Sequence, residues 1–434
     1  MIKRLISAFK SVTKKGFFHI LAGNTLVKFI AFFSAMLIPR LLTKEDFGRL
    51  AYVDNIYSYI LLINGLGIAT AVLRFVSLAN SEIEKKAVFN FGMKFGIAVD
   101  FIIILLLMPV LYFLPLPISG AKQYLYLIMF LPIFAFAFDV LTYYLRANFR
   151  NRQFSLLTVC YSLVSALSQI LLAWKFNIFG AIFARYFATT LALILGFFFI
   201  FKAHREIRNE VFPLNKEYKH NLIKYSLAAL AANAFSLIIP LNEQMVLSQI
   251  VKSEVQTANY RAAALGAQNI QFITMSVIVF IYPYFAKHST DGKWLWKNFK
   301  KTTLALFVII GGLTVIAVIL TPFIVSLIFG SKYNDIIGLM SFMWVTFGIN
   351  AALRMPVGNI LAAIGQVKYN LIAAAISCAV HIALDIFLIS RFGINGLAFA
   401  ITTVYLLSGI AGVIYFRIFC KKLESSEQVK NEQN

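Results

Sequence analysis

The 434-residue sequence contains few charged residues, which make up 13% of the chain against 60% for hydrophobic residues. That polar fraction is too small to cover a soluble globule of this size. The mean hydropathy is +0.80, and apolar blocks of twenty or more residues follow one another along most of the chain. The sequence therefore excludes a soluble multidomain protein and a receptor with one membrane anchor, and it indicates a protein that crosses a membrane many times.

Cysteine is scarce as well, with three residues at Cys160, Cys378 and Cys420. These residues lie in or beside apolar blocks and lack paired spacing, so the sequence predicts neither a disulfide framework nor a metal site. No glycine-rich nucleotide loop follows a strand pattern, which argues against direct use of ATP. We therefore expect no cofactor.

Twelve apolar blocks are long enough to cross a bilayer core of about 30 Å, which takes roughly 20 helical residues. Runs such as Phe101 to Met108 are apolar on every side, which favours helices over barrel strands. We therefore expect an all-α polytopic membrane protein with twelve transmembrane helices. The predicted spans are 17–41, 51–76, 88–114, 122–146, 154–175, 179–201, 222–247, 258–286, 302–328, 336–364, 370–390 and 394–417.

Positive charge is distributed unevenly between alternate loops. If the N-terminal arm, every second loop and the C-terminal tail share one side, that side holds 26 of the 40 lysines and arginines, and the opposite loops hold eight. The positive-inside rule then places both termini in the cytoplasm. The net charge of +22 follows from this topology, so no nucleic-acid partner is predicted.

An internal repeat relates the two halves of the chain. A shift of 216 residues places 166–184 on 382–400 with seven of nineteen positions identical, in a shared frame F-x-I-x-G-x-x-F-A. Because this shift equals six spans, we expect two six-helix lobes related by a pseudo-two-fold axis along the membrane normal, facing a central cleft. The expected boundaries are 1–201 for the first lobe, 202–221 for a cytoplasmic linker, 222–420 for the second lobe and 421–434 for a disordered tail.

Apart from the basic residues near span ends that are counted with the loops, six basic residues lie within the predicted spans, where ionisable groups are costly and commonly face a cavity, a partner or a substrate path. Lys28 and Arg354 lie roughly 16 Å from the nearer end of their spans. That depth makes snorkelling difficult, and we interpret both as substrate-binding cations. Shallower cations, for which snorkelling is the simpler explanation, are Arg185, Arg261, Arg74 and Lys94, of which the first three are secondary candidates for substrate binding.

Carboxylates within the spans could neutralise these cations or carry a coupling proton or sodium ion. They are Asp54, Asp100, Asp139, Glu243 and Asp385. Asp100, Asp139 and Asp385 are the candidates for ion coupling. His381 lies one turn before Asp385 on the same helix face, so the eleventh span is the best candidate for a proton relay. Structural pairing explains these acids equally well.

Amide side chains concentrate on the first, second, seventh and eighth spans, which are equivalent helices in the two expected lobes. Interhelical hydrogen bonds, worth about 1 kcal/mol each, explain any single amide. Their concentration favours a polar cleft that binds sugar hydroxyls. The candidates for such binding are Asn24, Asn64, Asn233 and Gln268.

The segment Ile38–Gly48, I-P-R-L-L-T-K-E-D-F-G, followed by Asn64–Gly67 and Arg74–Phe75, resembles the first two helices of bacterial polysaccharide exporters. The segment from Asn259 through Pro283 is similar to the eighth helix of that family. Its members are flippases for lipid-linked oligosaccharides, including O-antigen flippases, and share a superfamily with multidrug and toxic compound extrusion transporters.

This resemblance implies export of an undecaprenyl-diphosphate-linked oligosaccharide from the inner to the outer leaflet by ion-coupled alternating access. Lys28 and Arg354 would compensate the diphosphate charge in a medium of low dielectric constant. The family further implies a glycan polymerase and chain-length proteins as partners. Related lipid II flippases usually carry two additional helices, so the predicted topology favours an O-antigen or capsule cargo.

Two other functions stay open. A cation-coupled multidrug antiporter of the same fold would be expected to have acids dominating its cleft, whereas six cations and five acids lie in the spans here. A membrane-embedded glycan polymerase or glycosyltransferase would need a large outer loop for its catalytic groups, and the longest predicted outer loop has about a dozen residues. We therefore expect a transporter rather than an enzyme.

Overall fold

The computed structural model describes the backbone of residues 17–205, 207 and 209–432, with side chains described in that range except at 17–25, 203, 232–240, 279, 367 and 426–432. The described residues are almost entirely helical, and no strand occurs among them. Contacts divide the chain into two compact units, Met1–Leu241 and Asn242–Asn434. The division lies within a helix, about twenty residues beyond the predicted linker.

The first unit contains seven helices and most of an eighth. A 3₁₀ turn at Asn64–Gly67 separates the second helix from the third. The helices are α1 (Phe17–Leu41), α2 (Lys44–Leu62), α3 (Ile68–Leu78), α4 (Glu82–Phe113), α5 (Ala121–Ile128), α6 (Leu131–Ala147), α7 (Asn151–Ala203) and α8 (Lys216–Val251).

The second unit contains the remaining helices and two π-helical turns, at Val325–Phe329 and Asn350–Arg354. Short 3₁₀ turns at Gln268–Ile270 and Ser331–Ile336 join successive segments. The helices are α9 (Glu254–Ala267), α10 (Gln271–Lys287), α11 (Gly292–Ile324), α12 (Ile337–Ile349), α13 (Met355–Ala363) and α14 (Val367–Glu432).

Helix α7 is not one straight rod. The backbone leaves the helical conformation at Phe176 and Asn177, where Asn177 has φ 51° and ψ −133°. The Ser168 hydroxyl lies 3.4 Å from the carbonyl oxygen of Ala184, whereas sixteen residues of straight helix extend about 24 Å. The chain therefore doubles back at Asn177, and Gly180 lies so close to Leu172 that a Cβ there would overlap its backbone carbonyl.

Helix α14 folds in the same way at the position 216 residues later. Gly393 has φ 56° and ψ −136°, which matches the conformation of Asn177. A Cβ on Gly396 would overlap the backbone carbonyl of Leu388, as Gly180 would overlap Leu172. The shared sequence frame thus encodes the same tight helical hairpin twice, which supports the predicted repeat.

Seven helical segments of the described residues are long and apolar enough to cross a bilayer, and an eighth crossing exists if the bent pair 254–278 and 280–287 forms one span. Two of the seven, Asn151–Lys202 and Lys368–Ser425, contain the hairpins. Only described residues are counted, which omits parts of α1 and α8. A multi-pass helical membrane protein is confirmed, and twelve crossings in two lobes stay a prediction.

Small residues allow helices of the first unit to pack closely. A Cβ on Gly96 of α4 would overlap the ring of Phe136 on α6, and one on Gly92 would overlap Val72 on α3. Phe136 and Val72 are completely buried in the apolar core that these three helices share. Because these glycines have no side chain, the neighbouring helices can approach them closely, as is common between helices in membranes.

The segment after α7 is held against the first unit by polar contacts. The Tyr144 hydroxyl lies 2.5 Å from Nε2 of His204, and the Lys86 ammonium donates to the carbonyl oxygens of Ile207 and Glu210 at 2.8 and 3.0 Å. Burial lowers the pKa of His204 to about 4, assisted by the positive charges of Lys86 and Arg150. His204 is therefore neutral at pH 7, and the segment has a fixed position on α4 and α6.

Candidate functional site

The second unit contains three ionisable side chains that are completely removed from the surface. Glu243 on α8, His381 on α14 and Asp385 one turn further have exposed fractions of 3%, 1% and 0%. The Nδ1 atom of His381 lies 3.9 Å from Oε1 of Glu243, and its Nε2 atom lies 3.4 Å from Oδ1 of Asp385. The imidazole therefore lies between two carboxylates, a geometry in which a proton can be shared.

This group has unused hydrogen-bonding capacity. The Tyr260 hydroxyl donates to Oε2 of Glu243 at 2.9 Å. No described residue forms a hydrogen bond with Oε1 of Glu243, with Nε2 of His381 or with either carboxylate oxygen of Asp385. Buried polar atoms without partners are costly, and in membrane segments such groups mark ion and proton pathways. The arrangement is therefore suited to binding and releasing a proton.

Arg354 lies beside the same group. It ends the π-helical turn Asn350–Arg354 between α12 and α13, and its guanidinium lies 5.2 Å from the centre of the Tyr405 ring. Its charge interacts with Glu243 and with His381. Because the side chain is half-buried, this cation combines access from outside with electrostatic contact to buried titratable groups. Turns of this π type are frequent at functional sites.

Metal binding finds no support in the part of the chain that the structure describes, where no three His, Cys, Asp or Glu side chains form a group able to hold a metal ion. The imidazole of His381 lies between the carboxylates of Glu243 and Asp385, so the three side chains form a row and do not surround a common point. A row of this kind suits proton transfer better than it suits coordination of a metal ion.

The first unit contains a second polar group. Both terminal nitrogens of Arg185, on the second half of α7, donate to the Asp54 carboxylate on α2, at 2.5 and 2.8 Å. Tyr57 interacts electrostatically with Arg185, Asp54, Tyr161 and Asp139. Arg185 therefore forms a bidentate ion pair inside the unit instead of snorkelling to the headgroups.

Asp100 fixes the break between α2 and α3. Its carboxylate accepts a hydrogen bond from the Gly65 backbone N–H at 2.6 Å. The Asn64 amide lies beside it and, with its nitrogen turned toward the carboxylate, donates at 2.7 and 3.0 Å. Gly65 and Gly67 have φ of 53° and 74°, which glycine adopts readily. These contacts explain the N-G-L-G segment and give Asp100 a structural task, while its part in ion coupling stays a prediction.

The other predicted site residues do not gather around either group. Lys28 is exposed on α1, and the exposed Arg74 has its guanidinium 4.7 Å from the Tyr225 ring centre. Arg261 is half-buried on α9, and Gln268 is exposed in the turn after it. Asp139 is the exception, because it is exposed on α6 and interacts electrostatically with Tyr57 of the second polar group. Two of the side chains predicted to bind sugar lie outside the described residues, those of Asn24 and Asn233.

Sequence reasoning placed His381 and Asp385 on one face but missed three of their neighbours. Glu243 and Tyr260 come from other helices, and Tyr405 comes from the part of α14 beyond its hairpin, so only the fold brings the three together. The one available signal was the presence of a carboxylate in the apolar seventh span.

Comparisons with known proteins agree with this architecture. A family model described as polysaccharide biosynthesis protein matches residues 13–289. An uncharacterized membrane protein of Methanocaldococcus jannaschii, MJ1068, is 26% identical over 227 residues, which cover 50% of this chain and 43% of that protein. The match thus spans less than half the length of this relative.

Solved structures show the same fold at low sequence identity. An inward-facing multidrug resistance MATE family transporter of the MOP superfamily has a TM-score of 0.74 at 12% identity, covering 92% of this chain and 96% of the other. The lipid II flippase MurJ in an inward closed conformation has a TM-score of 0.66 at 20% identity, covering 93% and 87%. The fold is thus that of MOP-superfamily transporters, and with the family model covering more than half of its length, the chain belongs to the polysaccharide biosynthesis protein family.

Proposed function

We propose that this protein moves an undecaprenyl-diphosphate-linked oligosaccharide from the inner to the outer leaflet of a bacterial cytoplasmic membrane. Movement occurs by alternating access coupled to an ion, for which a proton suits the buried group best. Family membership and the transporter fold support transport for glycan assembly. The observation that carries the proposal is the half-buried Arg354 in electrostatic contact with Glu243 and His381.

Arg354 supplies what a diphosphate requires inside a membrane. A guanidinium presents a planar fork of N–H donors that matches phosphate oxygens, and it stays protonated at every physiological pH. Its attraction to an anion is strengthened where water is excluded. A drug or metabolite without a negative group would gain nothing from this charge.

The neighbouring acids link proton binding to cargo binding. When Glu243 and Asp385 are ionised, they attract Arg354 and repel a diphosphate. When a proton neutralises one of them, Arg354 becomes available and the local potential becomes more positive. Proton uptake therefore strengthens cargo binding and proton loss promotes release, a reciprocal linkage typically worth about 1–3 kcal/mol.

The polar group of the first unit suits the sugar part of the cargo. Tyr57 and Tyr161 offer aromatic rings with hydroxyl groups, and Asp139 is an exposed carboxylate near Tyr57. Carboxylates accept hydrogen bonds from sugar hydroxyls, and aromatic rings cover apolar surfaces. The Arg185–Asp54 pair holds α7 and α2 together behind them. Glycan polymerase and chain-length proteins would act on the delivered cargo.

A multidrug antiporter is the second candidate, because the exposed carboxylate of Asp139 and the MATE transporter fold also suit a cationic cargo. The two functions differ in the sign of their pH dependence. Protons on the acids favour an anionic cargo and disfavour a cationic one. One binding experiment over a range of pH therefore separates them.

We expect the purified protein to bind a lipid-diphosphate oligosaccharide about tenfold more tightly at pH 5.5 than at pH 8.5, within the range of linkage energies above. Both phosphates of this cargo are esterified, so its own charge stays constant over that range. The exchange Asp385→Asn, which keeps the shape of the side chain but removes its charge, should flatten the dependence. Affinity is measured by isothermal titration in detergent.

Glu217→Gln is the matched control, because it removes an exposed carboxylate at the start of α8 and should leave the pH profile unchanged. An affinity that rises with pH, or a profile that Asp385→Asn does not alter, would contradict the proposal. Tight binding of an organic cation at high pH would favour the antiporter.

A further inference from the structure

A cavity of about 320 Å³ lies in the first unit, and neither Asp54 nor Arg185 lines it. It is bounded by the first three turns of α4, by the segment after α7 and by the first turn of α8. Its lining combines charged and apolar side chains, chiefly Lys86, Lys94, Lys219, Phe91 and Phe212. Three lysines face a single carboxylate in this lining, that of Glu210, so the cavity has a net positive charge.

Hydrogen bonds hold in place the segments that form the rim of the cavity. Lys86 donates to the carbonyl oxygens of Ile207 and Glu210 at 2.8 and 3.0 Å, which ties the segment after α7 to α4. The Tyr218 hydroxyl donates to Oε1 of Glu84 at 3.1 Å and ties the start of α8 to the same helix. These hydrogen bonds attach both the segment after α7 and the start of α8 to α4.

The other two lysines of the lining are exposed. Lys94 is exposed, and no described residue forms an ion pair or hydrogen bond with it. Lys94 lines the cavity together with Lys86, which lies about two turns earlier on the same helix. The exposed Lys219 approaches from α8, with its ammonium 5.7 Å from the Phe91 ring centre. These ammonium groups converge on one opening.

The exposed face of α4 continues beyond this opening and becomes apolar. Five exposed residues lie on this face at the spacing of successive turns, namely Asn90, Lys94, Ala98, Phe101 and Leu105. Phe101 and Leu105 have exposed fractions of 47% and 53%. The face thus presents cations at one end and about two turns of bare apolar surface beyond them, which matches the headgroup and acyl chain of one lipid.

We propose that this cavity binds an anionic phospholipid, with its phosphate between Lys94 and Lys219 and an acyl chain along Phe101 and Leu105. The charge distribution of the sequence places this end of α4 on the cytoplasmic side, where anionic headgroups attract basic residues. Val211, on the rim of the cavity, is an apolar residue with an exposed fraction of 85%. The site uses none of the residues proposed for transport and does not depend on that function.

The test is a native mass spectrometry titration of the purified full chain with dioleoyl-phosphatidylglycerol. Each lysine near an anionic headgroup contributes about fivefold in affinity, so Lys94→Gln with Lys219→Gln should weaken binding at least tenfold. Both side chains are exposed, and an unchanged melting temperature verifies the fold. The double variant Lys293→Gln with Lys297→Gln is the matched control, since it removes two exposed lysines from α11 and should change binding less than twofold.

Two further arms identify the ligand. Dioleoyl-phosphatidylcholine should bind at least fivefold more weakly than phosphatidylglycerol, and Phe101→Gln should weaken the binding of both lipids. Glycerol phosphate, the free headgroup, should not displace the bound lipid at millimolar concentration. Equal loss in the two double variants, no loss in either, or displacement by glycerol phosphate would overturn the proposal.

Discussion

Replacing Arg354 by glutamine is expected to reduce transport of the lipid-linked oligosaccharide about 10- to 100-fold while the protein still folds and inserts. A hydrogen bond between charged partners contributes about 1.5–3 kcal/mol, and each 1.4 kcal/mol changes a rate or an equilibrium tenfold. Glutamine keeps part of the side-chain length but loses the charge and the planar fork. The measurement is the initial rate at which the sugar becomes accessible on the opposite face of proteoliposomes.

Three variants separate this charge effect from loss of packing. Arg354→Lys should retain part of the activity, because an ammonium keeps the charge but not the bidentate geometry. Arg391→Gln is the matched control, since Arg391 also lies over an aromatic ring, 4.1 Å from the centre of Phe387, but is exposed. Lys28→Gln tests the second predicted cation. Full transport by Arg354→Gln would remove this residue from the cargo site.

Alanine at Gly180 or at Gly396 is expected to prevent folding or to lower stability by about 3 kcal/mol or more, a large effect for one methyl group. The new Cβ would overlap the backbone carbonyl of Leu172 or of Leu388. A backbone atom cannot rotate away as a side chain can, so the hairpin must open. The yield of monodisperse protein and its melting temperature in detergent measure the effect.

Gly312→Ala is the control for this pair, because a Cβ at Gly312 of α11 would have no atom within 4 Å apart from its own neighbouring backbone. It should be neutral or slightly stabilising, since alanine favours a helix over glycine. Asn177→Gly should stabilise by about 1 kcal/mol, because Asn177 has the dihedral angles that Gly393 adopts in the other copy. Normal stability of both alanine variants would contradict the paired hairpins.

The internal repeat of the sequence marks the two helical hairpins. The frame shared at 176–184 and 392–400 coincides with the two reversals, because only small residues allow a carbonyl so close. Hydropathy also placed a break between the predicted spans 154–175 and 179–201, which is where the backbone of α7 leaves the helical conformation. Twelve crossings stay a prediction, because the seven to eight candidate spans are counted over described residues alone and two of them contain a hairpin.

The polar contacts were harder to predict because they depend on which helix faces which. His381 and Asp385 are four residues apart on one helix, so their spacing alone placed them together. Arg185 and Asp54 are 131 residues apart, and a single sequence gives no reason to pair them rather than any other cation and acid in the spans. The hydrogen bond from Gly65 to Asp100 could not be predicted for the same reason.

Transport of a lipid-linked oligosaccharide is best examined where its cargo is made. When the gene is deleted in its host, the oligosaccharide attached to its diphosphate lipid should accumulate on the cytoplasmic leaflet, as determined by mass spectrometry after selective labelling of each leaflet. Restoring the wild-type gene should return the cargo to the outer leaflet, and the Arg354→Gln gene should not. An unchanged distribution of the lipid-linked oligosaccharide, together with altered sensitivity to organic cations, would contradict the proposed cargo.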